Sequence, residues 1–249
     1  MKADQLPLAM RWPAQQRFET FFAGDNGAAL ELARRAATDA TAPWVFVSAA
    51  AASGKTHLLI AACAAASTAG RRAQYLSLRS LSAAAPDAIR ALGGSDLLAL
   101  DDLDAITGRR EAEHALFDLY NRGKVEMCTF LFAASRVPAQ LGIGLPDLVS
   151  RLSACAQAPL RPLDDAARRE VLRERAAARG IVLDAAALDW LFARTERDLT
   201  SLTALLDRLD RESLAAKRRV TVPFLRKLIA PDNPGTDGIS VPKGGSHSA

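Results

Sequence analysis

The chain has 249 residues, of which 49% are apolar, 24% charged and 6% aromatic, with a formal net charge of +4. That is enough apolar chain for one large domain or a domain with a small appendage, and no run approaches the ~18 consecutive apolar residues of a membrane span. Met1-Lys2-Ala3-Asp4-Gln5 lacks a secretory n-region and h-region, and Cys63, Cys128 and Cys155 form no CxxC pair, so we expect a protein of the reducing cytoplasm without disulfide or structural zinc.

Residues 1–16, interrupted by Pro7 and Pro13, read as an extended arm. Trp44-Val45-Phe46-Val47 then reads as a buried strand, followed by a helix from about Lys55 to Ala69. Ala73–Leu78 is a second strand, with a helix after it to about Leu92; Leu97–Leu100 is a third, ending in Asp101-Asp102. A helix from about Glu111 to Glu126 leads to a fourth, Thr129–Ala133. Short apolar strands separated by helices predict βαβ units, a parallel sheet and an α/β fold.

After Pro162 the pattern is helical throughout 164–230, starting at the acidic cap Asp164-Asp165. Basic and acidic side chains interleave there, which describes a solvated helix surface rather than a DNA-binding stripe. The segmentation is therefore an arm at 1–16, an α/β domain at 17–160, a small helical domain at 161–230 and a Pro/Gly/Ser-rich tail at 231–249.

Ala49-Ala50-Ala51-Ala52-Ser53-Gly54-Lys55-Thr56 follows a strand and opens a helix, the context in which a GKT loop binds phosphates. Its backbone N–H groups, from Ser53 onward, would cradle the anion; Lys55 would reach the β and γ oxygens, and Thr56 would give its hydroxyl to Mg²⁺. Ala49 and Ala52 stand where glycine is common, and alanine resists a positive φ by roughly 1–2 kcal/mol. Leu97–Asp102 has the form of a Walker B strand. Asp101 would hold Mg²⁺ and Asp102 would orient water, although Asp pairs also end strands in ordinary turns.

These motifs, over about residues 5–230, resemble the DnaA/Hda family of AAA+ proteins. Arg17–Asn26, with Phe22 and Asn26, is similar to the family's base-pocket segment, and Gly54-Lys55-Thr56-His57-Leu58 to its phosphate loop. Leu116–Arg122 resembles the helix after Walker B, and Gly144–Leu152 the segment that bears the arginine finger, which makes Arg151 the finger. Arg197 resembles the lid's sensor 2 arginine, with a surface ion pair as its other reading. Ser135 holds the sensor 1 place, where Asp or Asn is usual, and its hydroxyl is a poorer reader of a γ-phosphate. The resemblance implies a parallel five-stranded sheet with a helical lid, ADP or ATP with Mg²⁺ as ligands, and residence at the replisome or nucleoid.

Gln5, Leu6, Leu8 and Met10 resemble the peptide that docks on the β sliding clamp of DNA polymerase III; a tail or an intramolecular staple is the alternative. About twenty residues follow the lid segment, too few for the origin-reading helix-turn-helix of the initiator itself. The resemblance therefore implies a clamp-tethered inactivator of DnaA that supplies its finger in trans, reaches DNA through the clamp, and has weak or no ATPase of its own. A DNA-dependent ATPase that loads helicase, and a non-catalytic nucleotide-binding scaffold, remain alternatives, and a homodimer is open to it.

Overall fold

In the computed structural model, residues 12–194 and Leu206 are described. Seven α-helices and five strands occur among them, in the order α1 (Gly27–Thr38), β1 (Val45–Ser48), α2 (Lys55–Thr68), β2 (Ala73–Ser77), α3 (Ala85–Ala91), β3 (Leu97–Asp101), α4 (Arg110–Val125), β4 (Thr129–Ala134), α5 (Pro146–Ser153), β5 (Ala156–Pro159), α6 (Asp165–Ala177) and α7 (Ala185–Arg194). The strands form one parallel sheet in the order β2-β3-β4-β1-β5, as the α/β reading requires.

Strand alternation divides the core between two sheet faces. Val45, Val47, Leu97, Ala99, Leu131 and Ala133 pack on one side with alanine-rich α1 and α2. Phe46, Leu98, Leu100, Phe130 and Phe132 pack on the other with α3, α4 and α5. Small side chains let α1 and α2 lie close to the sheet; the opposite face is filled by rings. Trp44 sits 4.4 Å from Tyr120 and 4.5 Å from Phe130, and Phe130 stacks 5.3 Å from Phe132. Helix α4 comes so near the sheet at Gly123 that a Cβ there would lie 2.1 Å from Phe130 Cε2.

Arg71 binds the first face together at the base of the sheet. Its guanidinium donates to the carbonyls of Ala36 and Ala37 at the end of α1, to the Asp96 carbonyl and to Thr129 Oγ1. A cation is favourable at a helix C-terminus, where carbonyls have no intrahelical partner.

Three local departures from the sequence reading have physical causes. The expected helix after β2 is two pieces, a 3-10 stretch over Leu78–Ala84 and then α3, broken at Ser82 (φ 44), with Pro86 in the first turn of the second. Pro is accommodated there because that N–H has no intrahelical acceptor. Helix α1 and strand β5 are not among the elements placed from the sequence: α1 carries its buried Ala29, Ala33, Ala36 and Ala37 at helical spacing, whereas β5 reads Ala-Gln-Ala-Pro and is specified by pairing along β1 from Val45–Ala156 to Ser48–Pro159. At the end of the arm, Trp12 donates its indole N–H to Ser67 Oγ at 2.9 Å, and Arg17 holds the carbonyls of Trp12, Pro13 and Gln16.

The chain divides into two compact units, with the boundary between Leu172 and Arg173 inside α6. In the first, Asp164 caps α6 by accepting the Ala167 N–H at 2.7 Å. In the second, Asp184 caps α7 by accepting the Ala187 N–H at 2.8 Å. Apart from Leu206, the helical pattern expected over 195–230 and the tail 231–249 lie outside the described residues. Among the described residues no helix is long and apolar enough to cross a membrane.

Candidate nucleotide site

The sheet order brings the predicted residues together. β1 and β3 flank β4, so the loop after β1, the acidic end of β3 and Ser135 at the end of β4 meet along one carboxyl edge. Parallel α/β sheets bind ligands at such an edge. Register places Ser48 beside Ala134, so Ser135 follows level with Ala49, between the loop and the acidic strand.

The loop has the required shape and carries strain. Gly54 caps α2 at φ 95, with the ring of Phe21 so close that a Cβ would stand 3.1 Å from its Cε2. Ala52 adopts φ 57, a left-handed conformation that alanine enters at a cost of roughly 1–2 kcal/mol. Ser53 Oγ donates to the Ala50 carbonyl at 2.7 Å, and Lys55 Nζ donates to the carbonyls of Ala49 and Ala50 at 2.7 and 2.8 Å. The lysine is thus folded into its own loop. Burial lowers its pKa, against the charges of Asp101, Asp104 and Asp102, which raise it.

Asp101 is the hub of the acidic side. Its Oδ2 accepts from Thr56 Oγ1 at 2.6 Å and from the Tyr75 hydroxyl at 3.0 Å, while Oδ1 accepts the Asp102 N–H at 2.9 Å. Burial raises its pKa above the ordinary carboxylate value; the Thr56 hydroxyl opposes this and the charge of Asp102 adds to it. Burial and Asp101 also raise the Tyr75 hydroxyl. Asp102, left-handed at φ 58, accepts from Ser77 Oγ at 2.8 Å and pairs with Arg79 at 3.0 Å.

This donor set fits Mg²⁺ with a nucleotide. A threonine hydroxyl already rests on a carboxylate, and Mg²⁺ commonly takes only one or two protein ligands, the remainder being water and phosphate. Among the described residues there is no group of three or more His, Cys, Asp or Glu that could hold a metal unaided.

The Arg17–Asn26 segment is held by its own network. His57 Nε2 donates to the Arg17 carbonyl at 2.9 Å, and Phe21 meets the imidazole edge-on at 5.3 Å. Asn26 is buried and spends its amide on the backbone of Arg161, Nδ2 donating to the carbonyl at 3.0 Å and Oδ1 accepting the N–H at 2.7 Å. Phe22 is half-buried beside Gly24.

Arg151 stands apart from this edge. It lies on α5, packed with α4 on the sheet face opposite α2. Its guanidinium carbon is 4.9 Å from the centre of the Phe117 ring and 5.5 Å from that of Tyr120, whose hydroxyl donates to the Arg151 carbonyl at 3.2 Å. Arg197 and the arm residues Gln5, Leu6, Leu8 and Met10 lie outside the described residues.

Three residues here, Phe21, Tyr75 and Asp104, escaped the sequence reading, as did Glu113, whose carboxylate accepts the N–H groups of Gly108, Gly144 and Leu145 away from this edge. Phe21 lay within the Arg17–Asn26 segment, and Asp104 follows Asp101 and Asp102 at short spacing. Nothing in the pattern marked Tyr75 or Glu113.

A sequence profile of the bacterial DnaA ATPase domain matches residues 13–157, more than half of the chain. The chain belongs to the bacterial DnaA ATPase-domain family. Residues 165–229 match a second profile, the lid domain of Hda, so a DnaA-type AAA+ domain is followed by an Hda-type helical lid. Solved structures agree on the fold. Domain III of the Thermotoga maritima replication initiation protein DnaA aligns at TM-score 0.75 and 19% identity, covering 88% of this chain and 97% of that one. AMPPCP-bound DnaA from Aquifex aeolicus aligns at 0.65 and 23%, covering 83% and 69%. The Thermotoga maritima RuvB Holliday junction branch migration motor aligns at 0.60 and 17%, covering 84% and 69%.

Proposed function

We propose that this chain is a negative regulator of replication initiation: a DnaA-related AAA+ protein that supplies Arg151 in trans to ATP held by DnaA. Faster hydrolysis leaves the initiator in its ADP form. The observation that carries the reading is the separation within one chain of Arg151, on α5 with Phe117 and Tyr120, from Lys55 at the start of α2 on the other sheet face. An arginine so placed serves a neighbour's nucleotide better than its own, and arginine fingers raise phosphoryl-transfer rates by roughly 10³–10⁵. The planar guanidinium matches phosphate oxygens in a way an ammonium does not.

In this reading the chain's own nucleotide is a structural ligand, with Lys55 on its phosphates and Thr56 and Asp101 holding Mg²⁺. Bound Mg²⁺ would offset the phosphate charge. The engagement of Asp102 by Ser77 and Arg79 supports weak turnover in cis, because an unencumbered carboxylate would orient water better. Gln5, Leu6, Leu8 and Met10 tether the protein to the β clamp, and through it to DNA at the replisome in the cytoplasm.

The test is phosphate release from ATP-loaded DnaA with this protein and DNA-loaded clamp, each component omitted in turn. Stimulation that needs the clamp and disappears in Arg151→Ala and Gln5→Ala is expected. Turnover by this protein alone, indifferent to Arg151, would transfer the assignment to a helicase-loading ATPase; binding of nucleotide without any stimulation would leave a scaffold.

A further inference from the structure

Three carboxylates stand close together after β3, and two of them are already engaged. Asp104 Oδ2 accepts the Ser135 N–H at 2.9 Å, and its Oδ1 accepts the Ser135 hydroxyl. Asp102 Oδ2 accepts from Ser77 Oγ, and its Oδ1 pairs with Arg79. Asp101 is different. The hydroxyls of Thr56 and Tyr75 both converge on its Oδ2, at 2.6 and 3.0 Å, and among the described residues Oδ1 accepts the Asp102 N–H alone. A carboxylate oxygen has about two acceptor sites, so Oδ1 keeps one open.

Tyr75 comes from the edge strand. β2 runs beside β3 with Ser77 level with Asp101 and Tyr75 level with Ala99. Residues two apart share a face of the sheet, so the Tyr75 hydroxyl reaches Asp101 across the β2–β3 pair, while Thr56 reaches it from the start of α2. The two donors are not equivalent. In the nucleotide reading Thr56 also gives its oxygen to Mg²⁺, so its hold on Asp101 depends on loading; Tyr75 has no such second duty. With the Tyr75 hydroxyl on Oδ2 and the Asp102 N–H on Oδ1, one donor grips each oxygen. Together they restrain the terminal torsion of the aspartate, which is broad when nothing holds it.

We propose that Tyr75 is a positioning residue for the metal-holding carboxylate: it fixes the Asp101 plane so that the open acceptor site of Oδ1 is available to Mg²⁺, or to one of its waters, when nucleotide binds. The inference rests on the nucleotide-binding reading of the Lys55 loop and adds to it a residue outside both sequence motifs.

The experiment is calorimetric titration of the full chain with ADP, in EDTA and in excess Mg²⁺, for wild type, Tyr75→Phe, Asp101→Asn, the double variant and Lys55→Ala, with circular dichroism to verify folding. Mg²⁺ should tighten ADP binding by wild type. Tyr75→Phe should forfeit most of that gain, about tenfold, as expected when a group that orients a metal ligand is lost, while ADP affinity in EDTA changes less than about twofold. In the Asp101→Asn background the tyrosine substitution should have no further effect, because it acts through that carboxylate. A loss of equal size in EDTA and in Mg²⁺, a gain that is unchanged or larger in Tyr75→Phe, an effect that persists without the Asp101 carboxylate, or ADP binding by wild type that ignores Mg²⁺ would each overturn the inference alone. No ADP binding by wild type, or binding by Lys55→Ala equal to wild type, would remove the nucleotide reading and the inference with it.

Discussion

The buried carboxylate of Glu113 on α4 accepts the Gly144 N–H with both of its oxygens, at 3.1 and 3.0 Å. It also accepts the N–H groups of Leu145, at the entrance to α5, and of Gly108. One side chain thus fixes where α5 begins, and Arg151 follows on that helix. Glu113→Ala should destabilise the protein by roughly 2–4 kcal/mol, since each buried donor left unpaired costs about 1–3 kcal/mol and water relieves part of it. Urea unfolding measures this. Glu113→Gln, which keeps an acceptor, should lose less stability, and it should lower stimulation of DnaA-bound ATP hydrolysis while ADP affinity stays at the wild-type value.

The strain at Ala52 gives a stabilising substitution. Glycine enters φ 57 freely, so Ala52→Gly removes a penalty of roughly 1–2 kcal/mol and adds an unfolded-state entropy cost of about 0.4–1 kcal/mol. The expected net gain is about 1 kcal/mol, read as a rise in Tm of the nucleotide-free protein. An unchanged or lower Tm would show that the loop does not carry that strain.

Packing at Gly123 predicts the opposite sign. A methyl group there would lie 2.1 Å from Phe130 Cε2 and 2.7 Å from Cζ. Gly123→Ala should cost about 1–3 kcal/mol of overpacking, in spite of alanine's better helix propensity of about 1 kcal/mol. Adding Phe130→Leu should recover part of the loss, and a double-mutant cycle by urea unfolding would register the coupling.

Asp101 sets a pH dependence. Its folded pKa is raised, mainly by burial, so the folded chain holds the proton more tightly than the unfolded chain. The stability this gives is complete below the ordinary value of 3.8 and is lost as pH rises through the raised folded value. Asp101→Asn removes the ionisation. The nucleotide-free variant should therefore exceed wild type in stability at neutral pH, by a margin that shrinks as pH falls through that window, and should lose its Mg²⁺-dependent gain on ADP binding. Chemical unfolding at a series of pH values, with and without Mg-ADP, follows both effects.

Local sequence determined the phosphate loop, the acidic strand end and four of the strands, because each is a contiguous pattern: a short β-branched or aromatic run, then a turn, then a helix. The loop at 49–56 could be placed without coordinates because Gly54-Lys55-Thr56 bears its meaning in three consecutive residues. Strand β5 could not: Ala156–Pro159 has little intrinsic strand character and exists through pairing with β1.

The same division runs through the site. Lys55, Thr56 and Asp101 were legible because motif spacing follows from backbone geometry. The closure of Ser135 on Asp104, the anchoring of α5 by Glu113 and the stacking of Arg151 on Phe117 join residues far apart in the chain. No periodicity encodes such pairs, because each depends on which strands and helices the fold makes neighbours, and on hydrogen-bond donors that find their acceptors only once the sheet has assembled.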